Sequence, residues 1–256
     1  IEYQTTTSSW AWILVLFLFP YLGFVLYLIF GRPIYREKIF PFSDDEKIKY
    51  QQNLLKRETP YEISKNEQVI HKHRNLIELN FETDKSFLSK NNKIQIITDG
   101  KEKFRLLFED IKNAKSYIHI QYYILKKDGI GKQLFHLLEQ KLLEGVDVYI
   151  LYDDIGSRKL SISSLRKLTK NNAKIKQFFK SKLPLINFRM NYRNHRKIVT
   201  IDGNIGYTGG FNVGDEYLGL DKKFGYWRDT HLRIEGEAVG SLEYRFIDDW
   251  NSQSTK

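Results

Sequence analysis

The stretch Asn194–Tyr217, NHRKIVTIDGNIGYTGGFNVGDEY, decides how the chain is read. It sets His195, Lys197 and Asp202 in the spacing H-x-K-x-x-x-x-D and follows them with Gly209, Gly210 and Asn212. The alternation through Lys197, Val199 and Ile201 predicts a strand over Arg196 to Ile201, and residues two apart on a strand share a face. His195 and Lys197 are therefore expected side by side, an imidazole able to act as nucleophile or proton carrier beside a fixed positive charge. Asp202-Gly203 signals a turn, and Ile205 to Thr208 reads as the returning strand. That hairpin would bring Asn212 and the bare backbone of Gly209-Gly210 alongside the pair. Imidazole, ammonium, side-chain amide and close backbone N–H groups together suit a phosphate diester. His-x-Lys alone is a weak signal; the whole spacing with its Gly-Gly-x-Asn tail is much rarer than a chance surface hairpin.

Around this hairpin the chain alternates between the two periodicities. Ile94 to Thr98, Tyr117 to Leu125, Val146 to Tyr152 and Lys174 to Phe179 read as strands. Lys101 to Asn113, Gly131 to Leu143 and Ser161 to Leu168 read as amphipathic helices between them. Thr230 to Ile234 adds a strand, and Glu237 to Trp250 closes with a helix. Strand, helix, strand, helix implies crossovers and an α/β fold with a central sheet between helices.

The 256 residues carry a net charge of +10, no cysteine and 14% aromatics, enough apolar material for a core and no disulfides. Such a charge predicts an anionic partner, nucleic acid or an acidic membrane, without choosing between them. Trp10 to Phe30 is an uncharged run of about twenty-one residues, the length of a membrane span. No basic stretch precedes it, so a cleaved signal peptide fits poorly. Arg32, Arg36 and Lys38 follow it, which puts the C-terminal part in the cytoplasm and residues 1–9 outside. Residues 31–90 read as a charged linker with a helix over Asp44 to Glu58, and residues 91–256 as the catalytic domain. His71-Lys72-His73 reads as a solvated polar run, since no carboxylate cluster accompanies it. His119 is expected in the core or at a subunit interface, His136 as a structural helix residue, and Asp153-Asp154 as a loop or helix cap.

His195, Lys197, Asp202 and Gly209-Gly210-x-Asn212 resemble the HKD motif of the phospholipase D superfamily. The run GYTGGFNVGDEYLGLDKKFGYWRDTHLRIEGEAV, with Ile118 to Tyr123 and the apolar segment upstream, resembles the bacterial cardiolipin synthases. The resemblance implies a phospholipase D-like mixed sheet flanked by helices, preceded by a transmembrane helix. It further implies phosphatidyl transfer between two phosphatidylglycerol molecules through a phosphohistidine, in the bacterial plasma membrane, without metal or other cofactor. His195, Lys197 and Asp202 would be the catalytic set, with Lys197, Asn212 and Gly210 on the phosphate. Asp202, at the turn, is expected to act through structure. Asp229 is expected to hold a ring nitrogen of His195, with Glu216 as the competing carboxylate. No other histidine carries the spacing, so the chain has one motif where the chemistry needs two. The partners implied are anionic lipid and a second HKD half, from a longer chain (this one being a fragment) or from a second subunit. Hydrolysis with water as acceptor, or a tethered single-motif nuclease, are the competing activities; no nucleic acid is expected, because the basic residues are spread and not clustered with aromatics.

Overall fold

A computed structural model describes residues 6–27, 70, 72–84, 86, 88–158, 160, 162–178 and 194–253. In it the apolar N-terminal run is two helical pieces, α1 (Thr6–Leu18) and α2 (Pro20–Leu26), with a break at Phe19. Pro20 supplies no N–H and its ring crowds the turn before it, so the helix lapses there. The second piece turns back on the first: a Cβ added at Gly23 would lie 2.8 Å from the Val15 carbonyl oxygen. Trp12 meets Tyr27 edge-on, with centroids 5.5 Å apart. No helix among the described residues is long and apolar enough to cross a membrane. Residues 28–30 of the expected span, the helix expected over Asp44 to Glu58 and His71 lie outside the described residues. Helix α3 (Arg74–Asp84) precedes the sheet.

The alternation read from Ile94 onward becomes β1 (Asn92–Asp99), α4 (Gly100–Asn113), β2 (Tyr117–Tyr122), α5 (Gly129–Leu143), β3 (Asp147–Asp153), α6 (Ile162–Lys170) and β4 (Lys174–Phe178). There follow β5 (Ile198–Ile201), β6 (Ile205–Gly209), β7 (Arg228–Gly236) and α7 (Val239–Asn251). Among the described residues the strands form one sheet in the order β1-β7-β6-β5-β2-β3-β4. Strands β2, β3 and β4 are parallel, joined through α5 and α6, and every other pairing is antiparallel. The sheet is thus mixed. Local chemistry sets the helix starts: Asp99 caps α4 by accepting from Glu102 N at 3.0 Å, and Asp128 caps α5.

Alternation along each inner strand feeds two cores. Ile118, Ile120, Val148 and Ile150 pack with Leu107 of α4 and Leu134 and Leu138 of α5. The other face of the sheet sets Leu151 and Ile198 against Phe246 of α7. His119 belongs to this second face, its ring stacked on Phe246 at 4.5 Å and its Nδ1 3.2 Å from Thr200 Oγ1. Burial pushes the imidazole down to about 4, against the pull of Asp147, so it stays neutral within the core at ordinary pH.

Strand directions fix where a site can form. Gln121 near the end of β2 pairs with Ile198 at the start of β5, and Gly209 at the end of β6 pairs with His231 near the start of β7. The ends of β2, β3 and β6 and the starts of β5 and β7 therefore share one edge of the sheet. Everything the motif contributes, except Asp202, collects there.

Candidate active site

His195 and Lys197 lie on the extended segment that enters β5, which itself begins at Ile198. The His195 ring is exposed and tilts against Tyr123 at 4.7 Å. Lys197 is only 3% exposed; its Nζ donates to the His195 carbonyl oxygen at 2.7 Å and sits 5.4 Å from the Tyr123 ring centre. Among the described residues it makes no ion pair. Burial drives this ammonium down to about 8, opposed by the Asp229 charge. For His195, burial and then the Lys197 charge hold the imidazole below its ordinary value, against Asp153 and Asp229. An imidazole held toward its neutral form beside a buried ammonium is the state a nucleophilic histidine needs.

What holds this segment was not legible in the motif. Asp249 of α7, fully buried, accepts from Gln121 Nε2 at 2.7 Å, Asn194 Nδ2 at 2.8 Å and Arg196 Nη1 at 3.0 Å. It thereby ties both neighbours of His195 to a helix more than fifty residues downstream. Its spacing from the motif gave no signal; only the acidic pair Asp248-Asp249 beside the apolar face of the closing helix hinted at an internal partner. Tyr123 was equally hidden, since an aromatic at a strand end reads first as core. Lys103, 0% exposed, lies beneath the site with Nζ donating to the Tyr122 hydroxyl at 2.8 Å. His231 is 1% exposed, and neither ring nitrogen has a hydrogen-bond partner among the described residues.

The comparisons with known proteins bear on the same residues. The family model for the cardiolipin synthase, phospholipase D-like domain matches residues 107–250, and one for a phospholipase D-nuclease N-terminal segment matches residues 4–32. The chain belongs to the cardiolipin synthase phospholipase D-like family. It is 52% identical over its whole length to cardiolipin synthase 2 of Staphylococcus epidermidis, covering 53% of that protein. It is 49% identical to a cardiolipin synthase of Listeria monocytogenes, covering 54% of it. The chain thus spans about half the length of these curated relatives. Among solved structures, NucT from Helicobacter pylori aligns with a TM-score of 0.48 at 18% identity, over 63% of this chain and 98% of that one.

Four residues expected on the substrate or the imidazole make other contacts in the structure. The Gly210 N–H, expected on phosphate, donates to the Thr230 carbonyl oxygen at 2.9 Å. The absence of a side chain lets the Asp229 carboxylate come close, because an added Cβ would stand 2.0 Å from Asp229 Oδ1 and displace it. Asn212 accepts from Ile124 N at 3.0 Å and donates to the Tyr217 hydroxyl at 2.8 Å, so its amide joins the loops after β2 and β6. The expected hydrogen bond from a His195 ring N–H to Asp229 is not formed. Asp229 Oδ1 accepts from the next residue's N–H at 2.7 Å, and the carboxylate acts on His195 and Lys197 through charge alone. Glu216 does not replace it, being paired with Lys126. Asp153, read as a cap, accepts from Ile155 N and Gly156 N at 2.9 Å each and turns the chain after β3.

Asp202 stands at the opposite edge of the sheet from His195, so it does not reach the reacting atoms. Its carboxylate accepts from the N–H groups of Lys115, Ser116 and Tyr117 at 2.8, 2.8 and 3.0 Å, locking the hairpin to the start of β2. Its backbone is left-handed, with φ 51°, a conformation Asp and Asn tolerate best after glycine. Burial pushes the carboxyl up, but the three donors and Lys141 outweigh it and hold the group below its ordinary value. A depressed carboxylate stabilises the fold fully above its unfolded value and loses that contribution as pH falls through the folded one. Asp202→Asn, which keeps the backbone conformation, is expected to cost about 2 kcal/mol at neutral pH, allowing for partial exposure. The gap to the native protein should close as pH falls below about 4. Urea unfolding of both proteins at neutral pH and at pH 3 checks this; a gap independent of pH would assign the cost elsewhere.

Proposed function

We propose that this chain supplies one half of a phosphatidyltransferase that joins two phosphatidylglycerol molecules into cardiolipin and glycerol. The observation that carries the reading is Lys197, a buried ammonium without a carboxylate partner beside an exposed neutral imidazole. Such a cation calls for an anionic oxygen, and a phosphodiester brings one. The names and identities of the bacterial relatives support cardiolipin as the product. In the proposed course a ring nitrogen of His195 attacks phosphorus and the bond to the glycerol oxygen breaks. A proton from the second motif's histidine goes to the leaving glycerol. The terminal hydroxyl of a second phosphatidylglycerol then attacks the phosphohistidine and returns its proton to that histidine. Two inversions give retention at phosphorus. Lys197 steadies the non-bridging oxygens in both steps.

The second motif would come from another half of the protein or another subunit. Strand β1 is one of the two edge strands of the sheet among the described residues, with Ile94 57% and Ile96 69% exposed, and Tyr226 near the site is 70% exposed. Apolar groups left open in this way support a partner surface. The exposed apolar faces of α1 and α2, including Phe17 at 83%, support seating in lipid, and Arg32, Arg36 and Lys38 after the run support a cytoplasmic catalytic domain. The test supplies phosphatidylglycerol to the full-length protein: cardiolipin and glycerol in equal amounts are expected, and phosphatidic acid alone would establish hydrolysis instead.

The same reading predicts a pH profile. Lys197 is charged below about 8 and loses its proton as pH rises through that value, so kcat/KM should fall on the alkaline side from about pH 8. Asp229 raises both Lys197 and His195, so Asp229→Asn should move both limbs of the profile to lower pH. An alkaline limb that stays in place would remove Asp229 from the electrostatics of the site.

A further inference from the structure

The parallel crossovers place a second basic site near the first. Helix α5 follows β2 and α6 follows β3, so both helices begin at the sheet edge that carries His195. Between them lies a cavity of about 320 Å³ whose walls include Lys127, Lys132, His136, Ser163 and Lys167. Lys132 and His136 are four apart on α5, and Ser163 and Lys167 four apart on α6, so each pair lines one face of its helix. The floor is apolar, with Phe135 6% and Leu168 1% exposed. One carboxylate enters the ring: Glu139 pairs with Lys167 at 2.7 Å and accepts from Asn171 Nδ2 at 3.2 Å. Lys127 Nζ donates to Ser163 Oγ at 3.2 Å. Lys132 and His136 are exposed and their side chains make no ion pair or hydrogen bond among the described residues. Lys132, without an ion pair among the described residues, and the His136 ring thus stand over a greasy floor beside the Lys167–Glu139 pair.

We propose that this groove binds the phosphate of an anionic phospholipid head group, apart from the lipid that reacts at His195. The volume is at the small end of ligand pockets, roughly 300–1,000 Å³, and suits one head group, not a polymer. Lys127 and Lys132 at the mouth meet the phosphate, His136 adds a ring N–H, and the glycerol carbons rest on Phe135 and Leu168. The choice of a lipid over another oxyanion comes from the apolar floor, and it rests on the phosphatidyltransferase reading. Held there, a bilayer lipid would face the active-site edge toward the membrane.

The test uses the full-length protein with the His195→Ala substitution, in a non-ionic detergent, and follows the His136 ring by NMR. The probe is dihexanoyl-phosphatidylglycerol below its micelle concentration. A saturable shift of His136 is expected, absent with dihexanoyl-phosphatidylcholine, and weakened at least tenfold by Lys132→Glu or Lys127→Glu. Lys93→Glu, the same charge change on the exposed edge strand, should leave it unaltered. A silent His136, an equal response to phosphatidylcholine, equal affinity for inorganic phosphate, or tighter binding of a short oligonucleotide would each overturn the proposal. Cardiolipin formation by the native protein with a silent His136 would defeat this site alone. A responding His136 with no lipid turnover would defeat the transferase reading and leave the site standing.

Discussion

Replacing His195 with alanine in the full-length protein is expected to lower cardiolipin formation from phosphatidylglycerol by roughly 10⁴-fold or more. The substitution removes the nucleophile of the proposed reaction, and no described side chain stands ready to take its place. The ring is exposed and is held below its ordinary protonation range, so its loss should cost little stability. Lys197→Ala removes a preorganised cation and not the nucleophile. It should cost less, on the order of 10²- to 10³-fold. The two differ in a second readout. Quenching the native protein during turnover should trap an acid-labile phosphatidyl adduct, which Lys197→Ala should still form slowly and His195→Ala not at all. If His195→Ala kept more than about a hundredth of the activity, or still formed the adduct, the attack on phosphorus would belong to another residue.

Asp249→Ala is expected to produce the largest loss of stability. The carboxylate is 0% exposed and takes hydrogen bonds from Gln121, Asn194 and Arg196. Without it, two buried amide groups lose their acceptor, at about 1–1.5 kcal/mol each, and Arg196 loses a charged partner. The guanidinium is 39% exposed and can turn to water, which tempers its share. A total near 3 kcal/mol follows, read as a lowered urea midpoint with an unchanged slope. Asp249→Asn keeps the shape but turns one acceptor into a donor facing donors, so it should recover only part of the loss. Activity should fall too, because Asn194 and Arg196 flank His195 and fix the path into β5. A native midpoint in Asp249→Ala would show that these contacts are incidental. A lowered midpoint with normal turnover under folding conditions would separate the contact from the positioning of His195.

The motif and the order of elements were carried by the sequence because each rests on local physics. A hairpin with Asp-Gly at its turn announces itself, since few residues tolerate φ 51° and 67° in succession. Period-two and period-3.6 patterns marked the strands and helices from β1 to α7 to within a few residues, because burial on one face imposes them. The N-terminal run shows the limit of that reading. Its hydropathy said one long helix, and Pro20 with the close approach of Gly23 to Val15 folded it into two.

The site was legible in its reagents and not in its supports. His195 and Lys197 could be named from spacing, because two residues on an extended segment meet whatever the rest of the chain does. Asp202 could be named as a turn residue, but only the sheet placed it at the edge away from the chemistry. Gly210 and Asn212 were expected on the substrate from the hairpin and the family resemblance, Asp229 on the imidazole from the resemblance, and Glu216 as its rival from closeness to Asn212. Their partners turned out to be Thr230, Ile124, Tyr217 and Lys126, groups brought near by strand pairing and loop packing. Asp249 reaches the motif from more than fifty residues away in sequence, through a helix that packs on β5 where hydrophobic burial sends it. Spacing along a chain fixes which side chains share a strand or a helix face. Which donors meet which acceptors was decided only when the sheet closed and water left, because a buried polar group takes the nearest partner available, whether that is the next residue, as for Asp229, or one more than fifty residues away, as for Asp249.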